Sequence, residues 1–210
     1  MQSGPPASIR PVIAATPGPP VESFPRFSPS DGGFSVAYPR SGSRHDGSTV
    51  AVSLGTNGVE WTVSGTKGGL GDGKATLFGQ SAANQPPTDI ATALIQKNYP
   101  GAQRAYEIPN AMVGYQPGYG EVDDYYPQAG TSDYTRIRLV VLVAVKNGLA
   151  LVATAAGPYI AFRPGDSQPP KTGPSEETDH PSGTSLDLAQ GMGPFINSFT
   201  WKGDATRLTH

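Results

Sequence analysis

The stretch from Tyr134 to Ala156 constrains this chain more than any other. Two runs of β-branched and small apolar residues flank Asn147-Gly148, the dipeptide best suited to the two positive φ angles of a type I′ turn. The pattern predicts a long β-hairpin. Ile137, Leu139, Val141, Val143 and Val145 fall on one side of its first strand, and Val140, Leu142 and Ala144 on the other. A hairpin with one face in water alternates apolar and polar residues. This one is apolar on both, so it predicts a strand pair at the centre of a sheet with a layer packed against each face.

Elements on either side extend the pattern. Phe34, Val36 and Tyr38 alternate in a short strand that Pro39 halts. Val50, Val52 and Leu54 alternate in the next. Val59 to Ser64 follows a turn at Thr56-Asn57-Gly58, and Ala75 to Phe78 reads as a fourth strand. Pro86-Pro87-Thr88-Asp89 is a helix-start signal with Thr88 or Asp89 as N-cap, and Pro100-Gly101 ends the helix after Tyr99. Residues 104–109 and 111–116 read as extended. Thr184-Ser185-Leu186-Asp187 resembles a second N-cap, opening a helix that Gly191, Gly193 and Pro194 interrupt.

Proline and glycine set the boundaries. Eight prolines between Pro5 and Pro29 remove backbone donors and favour extended polyproline geometry. Residues 1–32 therefore read as a Pro-rich disordered arm or stalk, 33–203 as a single α+β domain with a loose insertion at about 163–183, and 204–210 as a tail. The expected fold is α+β, an antiparallel sheet with helices packed on both faces.

The order of elements resembles the PsbP-like α/β/α sandwich, found among LpqN-type actinobacterial envelope proteins. The residues that carry the resemblance are Phe34-Ser35-Val36-Ala37-Tyr38-Pro39, Gly114-Tyr115-Gln116-Pro117-Gly118-Tyr119-Gly120 and Ile196-Asn197-Ser198-Phe199-Thr200-Trp201. Such domains are mostly non-catalytic binding or assembly modules without shared catalytic residues. The resemblance thus implies a class of role at a bacterial cell envelope, outside the cytoplasm, with a protein partner or an envelope glycan or lipid. It transfers no site.

Composition excludes several functions. The net charge of −2 and the lack of a basic stripe argue against nucleic acid. Absent cysteine removes thiol catalysis, Cys-ligated zinc and disulfides together. No apolar run reaches the roughly 18 residues of a membrane span, so the chain reads as soluble; an anchor upstream of Met1 would leave the same trace. Gly68 to Thr76 nearly matches a phosphate-binding loop. It places Ala75 where a Mg²⁺-binding hydroxyl belongs, and a strand where a helix should follow. His45, His180 and His210 show no metal or triad spacing, and no cofactor or metal is expected.

The one chemically dense stretch is Tyr115 to Tyr126. Glu121, Asp123 and Asp124 stand among Tyr115, Tyr119, Tyr125 and Tyr126, as an acidic aromatic loop that binds a sugar or peptide would. These seven residues are the predicted ligand or partner surface. A rival reading is a carbohydrate hydrolase using Glu121 with Asp123 or Asp124, and a third is a structural ectodomain of a membrane complex. Against catalysis, Asp123 and Asp124 would point to opposite faces of a strand. Arg136 and Arg138 share a strand face and are expected to pair with the acids upstream.

Overall fold

The computed structural model describes residues 24–45, 47–65, 72–127, 136–158 and 184–205. The elements begin with β1 (Arg26–Phe27), β2 (Phe34–Ala37), β3 (Gly42–Ser43), β4 (Thr49–Leu54), β5 (Gly58–Ser64) and β6 (Gly73–Ser81). Helix α1 (Pro87–Asn98) precedes β7 (Gln103–Glu107), β8 (Met112–Val113), β9 (Gln116–Pro117) and β10 (Tyr119–Tyr125). The hairpin β11 (Ile137–Lys146) and β12 (Leu149–Pro158) leads to α2 (Thr184–Asn197) and β13 (Thr200–Trp201).

The hairpin forms as its sequence requires. Lys146 pairs with Leu149 across a two-residue turn in which Asn147 and Gly148 have φ of 53° and 77°. It sits near the middle of an eight-stranded antiparallel sheet of order β3-β4-β5-β6-β12-β11-β10-β7. Leu151 and Val152, adjacent in sequence and facing opposite ways, are both fully buried.

The expected α+β sandwich is not what this chain builds. Among the described residues half are strand and 14% helix, with two helices. One face of the main sheet is closed by α2 together with a second sheet, β1-β2-β13, in a core containing Trp61, Leu77, Leu151, Met192, Phe199 and Trp201. On the other face α1 covers mainly β10 and β11, seating Ile90, Ala91 and Ile95 on Leu139, Val141, Val143 and Val152. Among the described residues no helix covers the rest of that face. The physical reason lies in the outer strands. Val59, Trp61, Val63, Ala75 and Leu77 turn into the first core, whereas Glu60, Thr62, Lys74 and Thr76 alternate with them towards the open side. Two-sided apolarity belongs to the hairpin, and extending it to the whole sheet overstated the helical layers.

Smaller expectations also shift. Pro86, not Thr88 or Asp89, is the N-cap of α1, and no side chain caps the helix. Pro87 at the first position has no N–H to satisfy and its φ already suits a helix. Pro194 does not interrupt α2, which runs through it to Asn197. The fold starts before Gly33: Phe24 packs edge-on against Phe195 at 5.1 Å, and Arg26 donates to the Ser198 carbonyl at 3.0 Å. It also runs past 203, since Lys146 Nζ reaches both Asp204 oxygens at 2.7 Å. The insertion at 163–183 lies outside the described residues, as do His180 and His210.

Candidate functional site: a half-covered sheet face

The seven residues predicted as a binding surface do not converge. Strand β10 pairs with β11 so that Tyr119, Glu121, Asp123 and Tyr125 face α1, while Asp124 faces the other way beside Arg138. Glu121, Asp123 and Asp124 are only 4, 4 and 8% exposed. Tyr115 is exposed in the β8–β9 turn at φ 61°, and Tyr126 is exposed beyond the end of β10.

Each carboxylate has a different fate. Arg138 clamps Asp124 bidentately, Nε to Oδ1 at 2.9 Å and Nη2 to Oδ2 at 3.0 Å, and Arg136 Nη1 adds a contact of 3.3 Å. That pairing follows the expectation for both arginines. Glu121 accepts from the Tyr119 hydroxyl at 2.8 Å, which itself accepts from Arg104 at 3.1 Å. Burial raises the Tyr119 phenol, and its bond to Glu121 raises it further. Asp123 has no such relief: its Oδ2 is buried without a hydrogen-bond partner among the described residues. Desolvation, reinforced by the charge of Glu121 and opposed by Arg104, pushes its carboxyl up to about 6. All three acids thus lie on a strand held between β11 and the edge strand β7, Glu121 and Asp123 on the α1 side and Asp124 on the other.

A concave surface lies elsewhere, where α1 ends its cover of the sheet. A trough of about 690 Å³ runs along that boundary. Its wall is the C-terminal half of α1, with half-buried Leu94, buried Ile95, exposed Asn98 and the capping residue Tyr99. Its floor is the open side of β5, β6 and β12, carrying Glu60, Lys74, Thr76, Phe78 and Thr154, and the β4–β5 turn closes one end. The local sequence explains this placement. Alternation along β5 and β6 sends a polar residue to the open side at every second position, and the register sets Thr76 directly opposite both Glu60 and Thr154.

The floor is internally satisfied but not saturated. Glu60 and Lys74, diagonal neighbours across β5 and β6, form an ion pair at 3.2 Å with both side chains nearly half exposed. The hydroxyls of Thr76 and Thr154 bond to each other at 2.5 Å, which uses one of their two hydrogens and leaves one O–H to donate. At the rim Tyr99 is held by its N–H bond to the Ile95 carbonyl at 2.7 Å and by edge contact with Tyr125 at 5.5 Å. Burial raises its phenol; nearby Lys74 opposes the shift, and Glu60 adds to it. Gly58 lets the two strands approach, because a Cβ there would collide with Phe78 and the Leu77 carbonyl.

Among the described residues no group of three or more His, Asp or Glu side chains is placed to hold a metal. The part of the glycine-rich motif that is described is Asp72 to Thr76, and from Gly73 onwards it is strand β6, so no helix N-terminus follows it. No family model, curated protein or solved structure matches this chain. Sequence reasoning missed the trough because its residues come from five strands, a turn and a helix and form no motif. The polar alternation of Glu60-Thr62-Ser64 and Lys74-Thr76 was the available signal.

Proposed function

We propose that this chain is a non-catalytic binding module whose working surface is the trough beside α1. The carrying observation is the pairing of an apolar helical wall with a polar strand floor around about 690 Å³. Small-molecule sites are concave, of roughly 300–1,000 Å³, and mostly apolar with a few convergent polar groups. The wall and floor also sit on regular elements, which hold a site more firmly than loops do.

Binding is favoured over hydrolysis by the carboxylates. Glycoside hydrolysis in its common form needs two of them flanking the bond. Among the described residues lining the trough Glu60 is the sole carboxylate, and it is paired with Lys74. Glu121, Asp123 and Asp124, the acids of the rival reading, are buried, and none of them lines the trough.

An extracytoplasmic place at the cell envelope belongs to the same proposal. It rests on the resemblance of the sequence motifs, and fractionation of the native host tests it. In the described residues no helix is long and apolar enough to cross a membrane. The binding reading itself is tested by amide-resolved NMR of the full chain against a library of small neutral, anionic and cationic compounds. Saturable shifts should cluster at Glu60, Lys74, Thr76, Tyr99 and Thr154. Shifts centred on Tyr115 to Tyr126 instead, or none at all, would overturn it.

A further inference from the structure

We infer that the trough takes a neutral carbohydrate, an inference that rests on the trough being the working site. The first argument is charge. Glu60 and Lys74 are the only charged side chains among the described lining residues, and they neutralise each other at 3.2 Å. The trough also meets the C-terminal end of α1, at Asn98 and Tyr99, where the helix carries partial negative charge. An anionic ligand would find no unpaired cation and an unfavourable dipole. A cationic one would have to displace Lys74.

The second argument is the kind of polar group present. Ser53, Thr56, Thr76, Thr154 and Tyr99 offer hydroxyls, and Asn57 and Asn98 amides, all able both to donate and to accept. Their natural complement is a ligand dense in groups of the same dual character. A sugar ring is such a ligand, with hydroxyls at its edge and apolar C–H faces. Phe78, Leu94, Ile95 and Tyr99 give those faces a surface next to the polar floor.

The third argument excludes competitors by topology. Strands β5, β6 and β12 each pair on both sides, so the floor has no free backbone edge for an extended peptide to join. A lipid chain would desolvate Thr76, Thr154 and the ion pair without giving them partners, at a cost an apolar tail cannot offset.

The test is to apply the labelled full chain to an array of neutral and acidic oligosaccharides. The best neutral ligand is then titrated by NMR. Binding confined to neutral glycans, with saturable shifts at Thr76, Tyr99 and Thr154, is the expected result. The double variant Thr76→Val/Thr154→Val keeps side-chain volume, and it should weaken binding about tenfold or more through the lost hydroxyls. Asn98→Ala, at an exposed helix position that leaves the fold intact, should weaken it less. Glycan binding that maps elsewhere, or that ignores both variants, overturns the inference. So does saturation of the trough by a charged or non-sugar compound with silence from every glycan, although the trough then stands as a binding site. Silence from both panels overturns the inference and the binding reading together.

Discussion

Two ion pairs on the same sheet show how differently its halves are built. Asp124 and Arg138 form a bidentate pair with side chains 11 and 6% exposed, shielded beneath neighbouring structure. Glu60 and Lys74 sit at a similar distance in the open wing, with side chains nearly half in water. The distances, 2.9 and 3.2 Å, say little about this contrast. A buried charge stripped of its partner has no water to turn to, whereas an exposed one does. Removing one partner should therefore cost more stability in the covered pair than in the open one.

Breaking each pair measures the contrast. Asp124→Ala leaves Arg138 buried without its bidentate partner and should cost about 3–5 kcal/mol. Urea unfolding followed by the fluorescence of buried Trp61 and Trp201 reads this directly. A loss below about 1 kcal/mol would place Asp124 with the surface pairs. Lys74→Ala, the matching cut in the open wing, should cost less than about 1 kcal/mol in the same assay. A large loss there would mean that the trough floor supports the fold.

Between these extremes lies Asp123. Its carboxyl is raised from 3.8 to about 6, chiefly by desolvation, so the folded state holds a proton that the unfolded state releases. Stability from this group is therefore present below about pH 4 and declines as pH rises towards 6, then stays lower. Asp123→Asn should flatten that part of the stability profile and raise the melting temperature at pH 7, measured by calorimetry from pH 4 to 7. An unchanged slope would show that Asp123 is not desolvated in solution.

Much of the fold was legible because it follows from local rules. Asn147-Gly148 dictated the turn, the two-sided apolar runs dictated a central hairpin, and Pro100-Gly101 ended α1 where expected. The layers were misjudged because the hairpin speaks only for its own faces. The outer strands had recorded their exposure in Glu60, Thr62, Lys74 and Thr76, and that alternation argues for water on one side. The site was harder. Tyr115 to Tyr126 is dense in acids and tyrosines, and the fold pairs Glu121 with Tyr119 and Asp124 with Arg136 and Arg138, the last two 12 and 14 residues further along the chain. The trough depends on where α1 stops covering the sheet, a long-range property that no single segment carries.

The position of the hairpin in the sheet also bears on how the chain escapes aggregation while it is made. Strands β11 and β12 are the longest and most apolar, the kind of segment that adds to foreign strands when its edges are bare. Their neighbours in the sheet are β10 and β6, and both lie earlier in the sequence. A chain emerging N-terminus first therefore presents both flanking strands, with α1 between them, before the hairpin leaves the ribosome. What remains at the sheet's rim is β3, two residues long, and β7, which carries Arg104 and Glu107. The order of strands along the chain thus supplies both partners of the hairpin before the hairpin itself is made.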